Sequence, residues 1–230
     1  MKRIKLYNEL TYLFALIFMA LAVALTAAAD FGVSMIVAPA YLLSLKVSFL
    51  TFGQSEYIIQ ALLFIVFCIL MKKVRLVFFI SFGTTVLYGA ILDLWRWLIP
   101  ALNPNVTAPG SMELRVRIVY FALGMILTGI TVALCFRTYI YPQVYDFFVK
   151  GVSERYKLNM NRFKIIFDFS FLAAAVIMSF AFFGKFNGIG IGTVIMTCLN
   201  GPIIGFFGKI FDKHFELVPL FPRFEKLLKI

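Results

Sequence analysis

Six long apolar runs, separated by short polar segments, are the feature that most constrains how this 230-residue chain can fold. An α-helix needs about 20 mainly apolar residues to cross the roughly 30 Å hydrocarbon core of a bilayer. The runs that approach or exceed this length are 10–29, 55–71, 76–99, 118–136, 165–183 and 189–207. Backbone polar groups find no water in a bilayer, and these runs are too long for barrel strands, so we predict six transmembrane helices.

The composition excludes a typical soluble enzyme, a disordered chain and a disulfide scaffold. Hydrophobic residues make up 62% of the chain and charged residues 14%, against about 45–50% and about 25% in soluble domains. The three cysteines stand singly in apolar runs, with no spacing typical of a zinc site. We therefore expect one all-α polytopic membrane domain over residues 1–230, without a cofactor or a metal.

Basic residues are concentrated on one side of the six predicted helices. If the N-terminus lies in the cytoplasm, the segments 1–9, 72–75, 137–164 and 208–230 also lie there, and they hold 17 of the 22 Lys and Arg residues. This asymmetry is what the positive-inside rule predicts. Both termini are expected in the cytoplasm, and the net charge of +11 needs no nucleic acid to explain it. A cleaved signal peptide is disfavoured, because the first apolar run exceeds the usual 7–15 residues.

The segment 31–50 does not fit a simple six-helix pattern. It is apolar but contains Gly32, Pro39 and Lys46. If it crossed the bilayer, the basic loops after it would face outward, against the positive-inside rule. We therefore predict a re-entrant half-helix over residues 32–45, which enters from the outer side and is broken around Pro39. Irregular backbone at membrane depth is tolerated only inside protein or beside a water-filled cavity, so this segment is a candidate for lining a binding site.

A second glycine-rich segment resembles the first. Gly32 to Val37 is followed by a proline, and Gly190 to Ile195 is followed further on by Gly201 and Pro202. Interrupted hydrophobic segments at corresponding places in two halves of a chain point to a transporter site. The alternative is a chance similarity between short apolar strings. The shared direction of the two segments favours a parallel rather than an inverted internal repeat.

Several strings in the chain resemble the bacterial YczE/YyaS/YitT-type membrane proteins. They are FGVSMIVAPAYLLS at 31–44, TFGQSEY at 51–57, GIGT at 190–193 and NGP at 200–202. The resemblance covers most of the chain, from the first predicted span to the last. It implies a multi-pass protein of the bacterial inner (plasma) membrane whose function is unassigned, with transport as one prospect.

The predicted binding site lies between the re-entrant segment and the sixth span. Ionisable groups at mid-bilayer cost about 2.5–3.5 kcal/mol on insertion scales, so those near a span are functional candidates. Small and polar residues at the interrupted segments are candidates as well. The predicted substrate-binding residues are Ser34, Pro39, Gln54, Glu56, Asp93, Arg96, Gly190, Gly192, Thr193, Thr197 and Asn200.

Structural roles compete with binding roles at several of these positions. Gln54 and Glu56 open the second span, where they either cap the helix or face the outer mouth of a cavity. Asp93 and Arg96 are three residues apart, with Trp95 and Trp97 beside Arg96, which favours an interfacial belt with a local ion pair over a substrate contact. The polar stripe on the sixth span fits interhelical hydrogen bonds as well as a ligand path.

Two segments, 139–158 and 211–230, mix aromatic and basic residues with prolines. We expect both to lie along the cytoplasmic interface against anionic lipid headgroups, with docking of a protein partner as the alternative.

The function we expect is that of a small-solute permease with an unknown substrate. The alternative is a non-transporting membrane partner or scaffold of another complex, and a homo-oligomer fits either function. A membrane-embedded enzyme is least favoured, because the sequence has no nucleophile elbow and no carboxylate pair at metal-ligand spacing.

Overall fold

The computed structural model describes residues 4–74, 76–108, 110–140 and 143–222, with all their side chains except those of residues 76 and 77. Within these residues the chain forms eight α-helices: α1 (Asn8–Ala29), α2 (Ala38–Lys46), α3 (Phe52–Met71), α4 (Leu76–Leu98), α5 (Leu114–Cys135), α6 (Val144–Arg155), α7 (Met160–Phe183) and α8 (Ile191–His214). Six of them, all but α2 and α6, are long and apolar enough to cross a membrane. The predicted all-α fold with six membrane-length helices is confirmed.

Two short strands, one before the first helix and one after the last, pair at one end of the bundle. β1 (Ile4–Tyr7) leads into α1, and β2 (Phe215–Val218) follows α8. The strands pair in parallel, with Ile4 opposite Phe215 and Tyr7 opposite Val218. The start of α1 therefore lies beside the end of α8. We call this end of the bundle the terminal side and the other end the distal side.

Residues 30–46 enter the bundle from the distal side and return to it. Residues 31–37 are not helical, and Ile36 packs against the buried aromatic cluster that includes Phe64 and Phe147. α2 then runs back towards the distal side, where the Lys46 ammonium donates a hydrogen bond of 3.1 Å to the carbonyl of Phe182 near the end of α7. Both ends of this segment thus lie on the same side of the bundle.

Pro39 begins the half-helix rather than breaking it. The prediction of a helix over 32–45 interrupted at this residue is wrong, because the descending part has no helical turn and α2 starts at Ala38. Pro39 occupies the first turn of α2. A proline suits this place, because its fixed φ matches a helix and its missing N–H group would have no intrahelical partner there.

A second half-helix, α6, enters the bundle from the terminal side. The N–H of Val144, at the start of α6, donates to Oε1 of Gln60 at 3.2 Å, and Gln60 is the ninth of the twenty residues of α3. At the other end, the Tyr156 hydroxyl donates to the carbonyl of Leu70, the nineteenth residue of α3. α6 therefore begins beside the middle of the bundle and ends at its terminal side.

The predicted interfacial position of 139–158 is wrong for α6. A helix on a membrane surface buries one apolar stripe, whereas α6 buries Val144, Tyr145, Phe147, Phe148, Val149, Val152 and Ser153. In the other segment predicted at the interface, 211–230, residues 211–214 complete α8 and residues 215–218 form β2. Residues 223–230 lie outside the described part of the chain.

The order span, half-helix, span, span occurs twice, once in α1–α4 and once in α5–α8. The two halves run in opposite directions, because α1 begins on the terminal side and α5 on the distal side. Each half-helix packs against the span that follows it and against the matching span of the other half: α2 against α3 and α7, and α6 against α7 and α3. The halves form an inverted repeat, so the predicted parallel relationship is wrong. The segment at Gly190 opens the full span α8, not a half-helix.

Small residues let the first helices of the two halves approach closely. α1 buries Ala15, Ala20 and Ala24 completely. In α5, a Cβ added at Gly124 would lie 2.9 Å from the backbone oxygen of Ala22. Close backbone approach of this kind is typical of helix pairs inside membranes.

Candidate functional site

A cavity of about 330 Å³ lies between α1, α5, α7 and α8, beside the tip of the first half-helix. Residues 34–37 form one wall, and the start of the second half-helix contributes Asp146. Most of the other lining side chains are apolar or carry a hydroxyl group: Val23, Thr26, Thr128, Val132, Phe136, Met196, Thr197 and Ile204. The volume is in the range of small-molecule pockets, about 300–1,000 Å³.

Three charged side chains line this cavity. Lys164 Nζ lies 3.3 Å from Asp146 Oδ1 and 3.8 Å from Asp168 Oδ1. The second distance is too long for a hydrogen bond, and Asp168 Oδ1 is buried without a hydrogen-bond partner. When all three groups are ionised, the cluster has one negative charge in excess. It can therefore offer a ligand a carboxylate oxygen that accepts no hydrogen bond from the described residues.

Three of the predicted site residues, Ser34, Thr197 and Asn200, line the same cavity. The carbonyl of Ser34 accepts hydrogen bonds from the N–H groups of Val37 and Ala38, at 3.1 and 3.0 Å, and so turns the chain at the tip. Asn200 Oδ1 is buried and has no hydrogen-bond partner. The re-entrant segment and the sixth span therefore meet, and each contributes polar groups to one cavity.

Gly190, Gly192 and Thr193 hold the descending segment in place and do not line the cavity. The N–H of Gly192 donates to the carbonyl of Phe31, and the Thr193 hydroxyl donates to the carbonyl of Val33, both at 2.7 Å. The two glycine-rich segments, similar in sequence, are thus in direct contact. Pro39, another predicted site residue, is buried at the start of α2.

Gln54 and Asp93 lie at the distal ends of α3 and α4, away from the cavity. Gln54 forms a capping box with Thr51, in which each side chain accepts from the other residue's N–H group. Asp93 accepts from the N–H of Gly53 at 2.9 Å and from the Thr51 hydroxyl at 2.5 Å. These contacts fasten the start of α3 to α4, which is a structural role.

Arg96 does not pair with Asp93, so the predicted local ion pair is wrong: the ion pairs between described residues do not include it. The Arg96 guanidinium lies over the ring of Phe52, 5.3 Å from its centroid, and donates to the carbonyl of Leu102 at 3.3 Å. Asp93 is engaged by the start of α3 instead, which leaves Arg96 to hold the loop after α4.

Glu56 is completely buried between α3, α4 and α6. Its Oε2 accepts hydrogen bonds of 3.0 Å from Gln60 Nε2 and from the Tyr145 hydroxyl, while Oε1 has no partner. Gln60 Oε1 in turn accepts from the Thr85 hydroxyl at 2.7 Å. We call these four residues the Glu56 network. Glu56 neither caps α3 nor faces a distal opening, so both predictions for it are wrong.

The residues predicted from the sequence to bind substrate do not include the charged residues of the cavity, and Asp168 was interpreted as a structural charge at the start of a helix. Lys164 and Asp168 have the i,i+4 spacing of a helical ion pair, and this signal marks them as partners at the start of α7. Asp146 carried no such signal, because nothing in the sequence shows that α6 enters the bundle. Tyr145 was missed for the same reason, whereas Gln60 was visible as a polar residue inside the second predicted span.

Comparison with known proteins assigns the chain to a family. Residues 6–209 match the family of unknown function DUF6198. The chain is 26% identical over 205 residues to the uncharacterized protein YyaS of Bacillus subtilis (strain 168), an alignment that covers 89% of this chain and 94% of YyaS. No solved structure gives a significant match. The resemblance to YyaS-type proteins is confirmed, and the chain belongs to the DUF6198 family of unknown function.

Proposed function

We propose that this protein is a small-solute transporter and that the cavity between α1, α5, α7 and α8 binds the solute. The observation that carries the proposal is the pair of half-helices that enter from opposite sides: the descending segment before α2 and the first turn of α6 both line this cavity. Inverted repeats with interrupted helices at mid-membrane are typical of secondary transporters. Charged groups at membrane depth are costly, and solute binding accounts for Lys164 and Asp168.

The cavity favours a solute with an apolar body and a protonated amine. Its walls are mostly apolar, and its charged cluster has one excess negative charge. Asp168 Oδ1 and Asn200 Oδ1 are acceptors that receive no hydrogen bond from the described residues. An ammonium group supplies both the donors and the positive charge, whereas a carboxylate would be repelled.

The proposed setting is a bacterial inner (plasma) membrane with the terminal side in the cytoplasm. Most basic residues of the sequence fall on that side, as expected for cytoplasmic segments. The similarity to a Bacillus subtilis protein supports the bacterial setting. The groups that line the cavity are suited to binding a solute, and we propose no catalytic role for them.

A ligand screen followed by an uptake assay tests this proposal. The melting temperature of the purified protein is measured with primary amines, quaternary ammonium compounds, carboxylates and sugars. A ligand at 100 times its Kd stabilises by about 2.7 kcal/mol, which corresponds to a rise of about 5–10 °C for a chain of this size. Amines that stabilise the protein are then supplied, radiolabelled, to proteoliposomes.

We expect protein-dependent amine uptake that falls at least about tenfold in Asp168→Asn, because the excess negative charge is lost. The control is Leu199→Ala, since Leu199 is 43% exposed on the outer surface of α8 and does not line the cavity. Equal uptake by Asp168→Asn and the wild type contradicts the site. Absence of uptake, together with a stoichiometric partner on purification, contradicts transport and favours a scaffold.

A further inference from the structure

We propose that Glu56 is a proton-binding site, and that the proton is the coupling ion of the transporter proposed above. The coupling role depends on the proposed function, whereas proton binding itself does not. Three features carry the inference: the burial of Glu56, the absence of a cationic partner among the described residues, and its position between the two inverted halves.

The burial of Glu56 disfavours its charged form. Its side chain is 0% exposed within a membrane-length helix. The ion pairs between described residues do not include it. A carboxylate buried without a cation has lost its hydration and gained no opposite charge, and protonation removes this penalty. Oε1, which has no hydrogen-bond partner, is the oxygen available for the proton.

The titratable groups that face Glu56 from the neighbouring helices are tyrosines. Tyr145 on α6 donates to Oε2, and Tyr88 on α4 is close enough to be influenced by the Glu56 charge. On α2, the titratable side chain Tyr41 interacts electrostatically with Asp30 and Arg96 at the distal end instead of with Glu56. None of these three side chains supplies a positive charge. Protonation is therefore the way in which Glu56 can be neutralised in its described surroundings.

The polar groups around Glu56 fit a proton better than a metal ion. Gln60 Nε2 and the Tyr145 hydroxyl direct donors at Oε2. Gln60 Oε1 is already occupied by the Thr85 hydroxyl and the N–H of Val144. A cation such as Mg²⁺ or Ca²⁺ requires about six or more oxygen ligands, whereas these donors would repel it.

The Glu56 network joins the two inverted halves of the chain. Glu56, Gln60 and Thr85 belong to the first half, and Tyr145 belongs to half-helix α6 of the second. Loss of the proton places a negative charge between α3 and α6 and so changes the energy of their contact. Alternating access in inverted-repeat transporters requires one half to move against the other, and protonation at this contact biases that movement.

Infrared spectroscopy of the purified protein in lipid tests proton binding without any solute. Glu56→Gln keeps the shape of the neutral acid but cannot ionise. The control is Glu154→Gln, which removes an exposed carboxylate from α6. Near neutral pH we expect a C=O band of a protonated carboxyl group in the wild type and in Glu154→Gln, and loss of that band in Glu56→Gln. An unchanged band in Glu56→Gln overturns the proposal.

The pH dependence of the melting temperature gives a second readout. A folded state that keeps a proton released by the unfolded chain loses stability as pH rises. Glu56→Gln should therefore melt at least about 3 °C above the wild type at alkaline pH and match it at acid pH, while Glu154→Gln follows the wild type. Identical pH profiles of Glu56→Gln and the wild type overturn the proposal.

If Glu56→Gln fails to fold, Glu56→Asp replaces it, and the protonated C=O band must then shift in frequency. A band that Glu56→Asp leaves unshifted overturns the proposal. Both readouts are independent of the uptake assay. Failure of transport therefore leaves proton binding standing, and failure of proton binding leaves transport standing.

Discussion

Arg117 holds the point at which the chain leaves α1 and enters the bundle. Its Nε donates to the carbonyl of Ala29 and one terminal nitrogen donates to the carbonyl of Asp30, both at 2.8 Å. The guanidinium also lies 4.6 Å from the centroid of the Phe31 ring. Burial raises the pKa of the Asp30 carboxyl, although the nearby charge of Arg117 lowers it. One side chain thus fixes three consecutive residues at the start of the descent.

Arg117→Lys tests this role. Lysine keeps the charge but loses the planar guanidinium and its stacking on the Phe31 ring. We therefore expect the free energy of unfolding to fall by about 1–3 kcal/mol, which lowers the melting temperature by about 2–10 °C. Arg115→Lys is the control, because the Arg115 side chain is 92% exposed. Thermal unfolding in detergent measures both. An equal effect of the two substitutions would contradict the role of Arg117.

At the scale of elements, the descending segment and the start of α8 touch through backbone atoms. Gly32 has φ of 101°, and a Cβ added there would lie 2.5 Å from both Gly190 N and Thr193 Oγ1. A side chain at this position would require a strained backbone conformation and would clash with Gly190 and Thr193. The glycines therefore keep half-helix α2 at its depth by allowing this contact.

Gly32→Ala should lower the melting temperature by several degrees and reduce amine uptake, because the segment that lines the cavity must shift. Gly205→Ala is the matched control: Gly205 lies inside α8 with nothing within 4 Å of an added Cβ, and alanine there should raise helix stability by about 1 kcal/mol or less. Melting curves of both variants provide the comparison. Wild-type stability of Gly32→Ala would show that the contact is not needed.

The sequence predicted the elements that depend on the length of the apolar runs and on the placement of the basic residues. The six spans follow from the apolar runs, and the re-entrant segment follows from the placement of the basic residues around it. α6 was not predictable in this way, because its residues 144–155 contain charges and its burial depends on α3 and α7. The position of Glu56 depends on the same contact. Ser34 was predictable because it stands in the interrupted segment after α1. Asn200 was predictable because it belongs to the polar stripe of the sixth span.

At the scale of the whole molecule, the two inverted halves differ around the cavity. α3 and α4 pack closely against each other, whereas the corresponding helices α7 and α8 both line the cavity. The halves thus share an order of elements but not one packing arrangement. Transporters with inverted repeats move between two such arrangements, and the difference seen here is consistent with the proposed function.

Sided cysteine labelling tests whether the two half-helices enter from opposite sides and return without crossing the membrane. Single cysteines replace Lys5, Lys46, Glu113 and Glu154 after the three native cysteines are changed to alanine, and a membrane-impermeant maleimide is added to one side. We expect positions 46 and 113 to react from one side and positions 5 and 154 from the other. Labelling of position 46 together with position 5, or of position 154 together with position 113, would contradict it.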